Sequence, residues 1–253
     1  MNESNQISSQ TKLFGFIGEY AGVSRFSAVI NKTFKKKGDD AMMIPMNIRE
    51  DDLYFTLSNM KKSQVDGAII SSEYTDAILD VLDESSAMVK ESGMCDIVFK
   101  KDDKLIGDLF SIRVLNEALK DIVATKIAVI GIKPYTKAFT LLSCGFEVSY
   151  FHDNLEELME FTKQVQLKNA DINRLADSMS VDMSKFDAVL DFSDVESFDM
   201  IEKLPKISFD MKNSKQFSSL KKRAKELDAR YMSYDDMIEN LSAVAYKKII
   251  KGQ

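Results

Sequence analysis

KIAVIGIKPYT, residues 126–136, reads as a strand that stops at a glycine and turns directly into a helix. Ile127, Ala128, Val129 and Ile130 form the short apolar run expected of a buried parallel strand. Gly131 ends it, and Pro134 is compatible with a first helical turn. The helix is expected over 135–144 with Gly145 as its cap, and a second strand over 146–151. The same alternation recurs on both sides. Upstream, strands are expected at 13–18, 41–46 and 65–71, with helices at 25–37 and 50–62. The first of these helices carries Phe26, Val29, Ile30 and Phe34 on one face and ends at Gly38. Short helices at 76–82 and 85–92 precede a hairpin, whose strands at 95–99 and 105–106 flank the charged turn Lys100–Lys104. A long amphipathic helix then spans 110–125. Downstream come helices at 155–167 and 172–179, strands at 187–192 and 206–210, a helix at 217–227, a strand at 230–232 and a last helix from about 235 to 250. Strands alternating with helices imply parallel sheets with right-handed crossovers. The pattern runs twice, with the helix at 110–125 as the seam, so the chain reads as α/β with two domains.

Composition bounds the function classes. At 253 residues the chain is long enough for one large or two small domains. Acids outnumber bases 40 to 34, a net charge of −6 that argues against a nucleic-acid partner. No apolar run approaches the roughly 18–20 residues that would span a bilayer, so no membrane partner is expected. The polar stretch 1–11 lacks an apolar signal core and reads as a frayed tail of a cytoplasmic protein. Cys95 and Cys144 make neither a CxxC pair nor a zinc cage and are expected as buried free thiols. His152 is the one histidine, which sets metal sites and histidine-based hydrolase triads far back; no metal is expected.

Several segments together carry a resemblance. Gly18 to Ser27 reads GEYAGVSRFS, Gly67 to Thr75 GAIISSEYT, Gly93 to Ile97 GMCDI, and Leu105 to Ser111 LIGDLFS. In order and spacing these resemble four segments of the shikimate dehydrogenase family: Gly-x-Pro-x-x-His-Ser-x-Ser-Pro, Gly-Phe-Asn-Val-Thr-x-Pro-x-Lys, Gly-Ala-Val-Asn-Thr and Leu-x-Gly-Asp-Asn-Thr-Asp. The resemblance covers about residues 12–252. It implies a substrate-binding-type domain over 12–112, with the last helix, 235–252, packing back on it, and a Rossmann-like domain over 113–234. It also implies an NAD- or NADP-dependent oxidoreductase ancestry in aromatic amino acid biosynthesis.

At the positions that carry the family's chemistry, this sequence departs. The family's Lys and Asp flank the hydroxyl that is oxidised and handle its proton; here they fall on Thr75 and Ser111, neither of which titrates near neutral pH. One substrate-binding serine matches Ser24 and the other falls on Phe26. The Asn before Val-Thr falls on Ile69, the Thr of that segment is kept in kind as Ser71, the Asn of Val-Asn-Thr becomes Asp96, and a Gln of the last helix becomes Leu241. Polar groups that would grip a hydroxylated acid have become apolar, which lowers affinity for such a ligand steeply. Phe26, Ile69 and Leu241 would suit a less polar ligand or fill the cleft. Tyr74, if a neighbouring cation lowered its pKa, and Asp108 are the candidates left for proton transfer; Asp108 also reads as a cap for the next helix.

A dinucleotide loop needs Gly-x-Gly-x-x-Gly/Ala after its first strand, so that the backbone and the helix N-terminus can approach the pyrophosphate. Here only Gly131 of that pattern survives; Lys133 stands at the second glycine and Pro134 removes a donor. Lys133 could offer a charge to a phosphate. Asp153 lies about 20 residues beyond Gly131, where an acid holds a ribose diol and repels a 2′-phosphate, favouring NAD over NADP. Asp153 and Asn154 also read as a cap for the helix at 155. The acidic run at Asp191–Asp194 is unfavourable beside a phosphate. The expectation is therefore a diverged family member whose shikimate reductase chemistry is lost and whose interdomain cleft takes a small-molecule ligand. The alternatives are a dehydrogenase with a less polar substrate, or a drifted shikimate dehydrogenase.

Overall fold

The computed structural model describes residues 10–213 and 215–251, so nearly all of the tail expected over 1–11 lies outside the described residues. The chain separates into two compact units. One takes in the residues up to Val89, Cys95–Phe110 and the segment from Ile238 onward; the other takes in Lys90–Met94 and Ser111–Met237.

In chain order the first unit begins with β1 (Lys12–Gly18), α1 (Phe26–Lys37), β2 (Ala41–Asn47), α2 (Glu50–Met60) and β3 (Val65–Ile70). β4 (Glu84–Ser85), α3 (Ala87–Ser92), β5 (Ile97–Lys101) and β6 (Lys104–Asp108) follow. Its six-stranded sheet has the order β2-β1-β3-β5-β6-β4. β1 pairs in parallel with both β2 and β3, while β5 runs antiparallel between β3 and β6. Pro45 is tolerated in β2 because that strand is the sheet edge. Phe16, Phe26, Ile30, Phe34, Leu57 and Ile69 are buried, and the rings of Phe16 and Phe26 stack at 4.9 Å. Asn31 fixes α1 to β2 by exchanging both amide hydrogen bonds with Met43, at 2.9 and 2.7 Å. Gly38 ends α1 at φ 75°, where a side chain would be strained.

The second unit is built from α4 (Ser111–Asp121), β7 (Lys126–Ile130), α5 (Pro134–Leu142), β8 (Glu147–His152), α6 (Leu155–Gln164), β9 (Asp171–Arg174) and β10 (Val181–Asp182). It continues with β11 (Ala188–Asp191), β12 (Ile201–Lys203), β13 (Ile207–Asp210), α7 (Ser219–Glu226) and β14 (Arg230–Met232). Its main sheet, β14-β13-β11-β7-β8-β9, is parallel throughout. Numbered along the chain within the sheet, that order is 3-2-1-4-5-6, the doubly wound arrangement whose strand order reverses between β7 and β11. Ala128, Ile130, Phe151, Val189 and Ile201 anchor its core. The chain then returns to the first unit through α8 (Ile238–Lys251), which packs on α1. There Lys248 ion-pairs with Asp108 and the Tyr246 hydroxyl donates to Asp39 at 2.8 Å.

Several expected elements need correction. The helix expected over 172–179 is instead β9: Ile172, Leu175 and Met179 have helical spacing, but Asp171–Arg174 completes the sheet beside Ser149–His152. The helix expected over 110–125 stops at Asp121. Val123 adopts φ 56°, and Asp187 takes the backbone N–H groups of Thr125 and Lys126 at 2.8 Å each, committing them to the start of β7. The helix expected over 76–82 is reduced to a single 3-10 turn, Leu79–Val81. Cys95 is buried as expected, but Cys144 is exposed, because α5 ends at Leu142. Among the described residues no helix is long and apolar enough to cross a membrane.

Candidate functional site

The first unit holds six of the singled-out residues, and most are turned to internal tasks. Ser24 accepts the Phe26 N–H at 3.2 Å, a local bond just before α1. Ser71, at the end of β3, is buried; its N–H bonds the Ile17 carbonyl at 2.8 Å and its hydroxyl donates to Glu73. Thr75, at the family's Lys position, is 2% exposed, and its hydroxyl donates to the Ser72 carbonyl at 3.4 Å. Tyr74 beside it is also buried and donates its hydroxyl to the Ile48 carbonyl at 2.9 Å. Burial pushes the phenol up to about 12, and the nearby carboxylates of Glu19, Glu73 and Glu50 push the same way. The condition under which Tyr74 could relay a proton is therefore not met. Asp96 is buried and accepts the Phe110 N–H at 2.8 Å, tying the start of β5 to the chain leaving β6.

Asp108 stands three residues before α4. It closes β6 opposite Ile97, which in turn pairs with Ile69, and its carboxylate meets Lys248. Lys248 was not singled out from sequence. The signal was its spacing: seven residues beyond Leu241 is two helical turns, hence the same face of α8. Phe26, Ile69 and Leu241, which replace polar ligand contacts, are each 0% exposed and belong to the packed interior. Ser111 belongs to the second unit and is buried at the start of α4.

The second unit brings Gly131, Lys133 and Asp153 together. All three line a cavity of about 770 Å³ at the carboxyl ends of β7, β8 and β9 and beside the loop after β11. Ligands of doubly wound sheets bind outside those strand ends. Gly131 has φ 90°, and a Cβ there would lie 2.9 Å from the Ser193 backbone, so glycine is required by packing against the β11 loop. The Thr136 hydroxyl accepts the Lys133 N–H at 3.2 Å and donates to the Gly131 carbonyl at 2.9 Å. The loop thus satisfies part of its own polar demand, and Pro134 contributes no N–H to the start of α5. Lys133 reaches across the cavity wall to Asp194, with Nζ 2.5 Å from the carboxylate. Asp153 is largely exposed and lies 3.0 Å from His152 Nδ1. The helix cap is Asn154, whose side chain accepts from the N–H groups of Glu156 and Glu157. Arg174 also lines the cavity, in register with His152; the misread strand hid it from sequence.

Behind this cavity lies a buried acid pair. Asp191 ends β11 in register with Asp210 of β13. Burial raises Asp191 to about 6 against the pull of Lys212, whose Nζ lies 3.8 Å away. Burial also raises Asp210, although the hydroxyls of Ser218 and Tyr231 donate to it. The Lys212 ammonium donates to the Ser193 carbonyl at 3.1 Å, bracing the loop that lines the cavity. Among the described residues no cluster of three or more His, Cys, Asp or Glu side chains is arranged to hold a metal ion.

For a dinucleotide, the fit is uneven. The reversal of strand order, the cavity at the strand ends and an acid at the end of β8 suit an adenosine moiety. The phosphate end offers side-chain cations where backbone donors are usual.

Comparison with known proteins is consistent with this arrangement. No protein-family model matches the chain. The NADP(+) shikimate dehydrogenase of Pyrococcus furiosus is 28% identical over 101 residues, 40% of this chain and 37% of that protein. The corresponding enzyme of Clostridium perfringens is 31% identical over 96 residues. The matched segments thus span little more than a third of the length of these curated relatives. By fold the likeness runs the whole way. A shikimate dehydrogenase crystallised with NADP+ superposes with a TM-score of 0.77 at 20% identity, covering 99% of this chain and 94% of that one. In sequence over the matched segment and in fold over nearly its whole length, the chain is similar to shikimate dehydrogenases.

Proposed function

We propose that this chain is a family member in which shikimate reductase chemistry has been lost and the nucleotide cavity of the second unit kept for binding a dinucleotide, NAD in preference to NADP. The observation behind the loss is Thr75: at the position of the family's Lys stands a buried hydroxyl bonded within its own turn. Removing a group that moves a proton in the transition state typically costs factors of 10² to 10⁴ in rate. Phe26, Ile69 and Leu241, buried as core, add the loss of polar contacts to a hydroxylated substrate. Dinucleotide binding is supported by the cavity at the strand ends with Asp153 on its wall, where a carboxylate accepts from a ribose diol and repels a 2′-phosphate. The test pairs an assay of shikimate oxidation, with NAD and with NADP, and calorimetric titration of both cofactors. The expected result is no turnover of shikimate and measurable binding of NAD. Turnover at the rate of the curated relatives would overturn the first half, and absence of binding by either cofactor the second.

A second reading, an oxidoreductase with a less polar substrate, is favoured by one observation. Lys248 and Asp108 form a new lysine–aspartate couple in the first unit, 16% and 30% exposed. On this reading, Lys248→Met abolishes reduction of an apolar ketone by NADH; on the first reading there is no such activity to lose.

A further inference from the structure

The cavity of the second unit is walled by charges of both signs. Lys133 and Arg174 face it, and so do Asp153, Asp177, Asp194 and Glu196. Four carboxylates against two cations make an unfavourable site for a pyrophosphate unless the cations are brought close to it. The start of α5 supplies less than the usual compensation. Pro134 has no N–H, and the Lys133 N–H is taken by the Thr136 hydroxyl. Lys133 stands at that helix start, and its ammonium is bound to Asp194 across the wall at 2.5 Å. Both side chains are more than half exposed, at 54% and 77%, so the pair is weak and opens readily.

We infer that Lys133 is the residue of this chain that holds the ligand's phosphates, and that Asp194 is its built-in competitor: the ion pair opens when an anionic ligand enters. This rests on the reading of the cavity as a nucleotide site and adds a direction to it. The two partners of one ion pair then have opposite effects on binding. Removing Lys133 takes away the phosphate contact. Removing the charge of Asp194 frees Lys133 and also subtracts a negative charge from the wall. A ligand without phosphates is indifferent to both changes.

The experiment is calorimetric titration of NAD, ADP and adenosine into the wild-type chain, Lys133→Met and Asp194→Asn, with matched thermal melts to show that the exposed substitutions leave the fold intact. The expected result is at least tenfold weaker binding of NAD and ADP by K133M, severalfold tighter binding by D194N, and adenosine unaffected by either. Raising the salt concentration lowers the affinity of wild type and D194N more than that of K133M. Equal affinity of wild type and K133M for ADP, or no gain in D194N, overturns the inference. Adenosine bound equally by all three proteins in that case leaves the nucleotide reading in place, whereas no binding of adenosine, ADP or NAD by any of them removes both.

Discussion

Gly131 is the residue at which sequence and packing agree most closely. It alone survives from the glycine pattern, and the structure supplies a reason that involves no ligand: φ is 90° and any Cβ would meet the Ser193 backbone at 2.9 Å. Gly131→Ala is expected to destabilise the protein by at least about 2 kcal/mol, read from urea unfolding, through left-handed backbone strain and the clash together. Asp191 makes a second residue-scale prediction. Its folded-state pKa of about 6 stands above the ordinary aspartate value near 3.8. Between those two values the folded protein holds a proton that the unfolded chain has released, so stability falls as pH rises through that window and is level above it. The span corresponds to about 3 kcal/mol. Asp191→Asn removes this dependence. The difference in unfolding free energy between variant and wild type should move by about that amount, in favour of the variant, between pH 4 and pH 7.5. Burial of Asp210 acts in the same direction and remains in both proteins.

Among elements, helices with a capping side chain and a clear apolar stripe were legible from sequence, and elements defined by a neighbour were not. α6 begins at Asn154, whose side chain takes two backbone N–H groups, at 3.0 and 3.4 Å. Asn154→Ala is expected to cost about 1 kcal/mol in a thermal or urea melt. Asp153 accepts the N–H of Asn154 itself at 2.9 Å from a largely exposed position, so Asp153→Ala is expected to cost less than Asn154→Ala and to act chiefly on ligand binding. β9 shows the opposite case. Its residues have helical spacing, and only the free edge of β8, with the Ser149 hydroxyl donating to Asp171, turns them into a strand. The consequence for the candidate site is direct, since Arg174 is carried to the cavity wall by that strand. In α4 the competing pull came from Asp187, which claims the first residues of β7.

At the scale of the whole molecule, the replacements at the positions matched to the Lys, the Asp and the substrate contacts of shikimate dehydrogenases are packed away. Thr75 and Ser111 are 2% and 1% exposed, and Phe26, Ile69 and Leu241 are core residues. Thr75→Lys combined with Ser111→Asp is therefore expected to lower the melting temperature and to yield no shikimate oxidation. Each charge would enter a closed site, and an unpaired buried charge costs several kcal/mol.

The sequence by itself determined the α/β class, the twofold run of strand and helix, and the positions where a lysine, an aspartate and two glycines are missing. Those are matters of periodicity and residue type, which are local. Only the tertiary structure decided which survivors are free to act. It tied Thr75 into its own turn, Tyr74 to Ile48 and Asp96 to Phe110, joined Asp108 to Lys248 across 140 residues of chain, and set Gly131, Lys133, Asp153 and Arg174 around one cavity. The physical reason is that burial and hydrogen-bond partners are properties of the neighbours the fold brings in from distant sequence, and these neighbours set both the charge of a side chain and its reach.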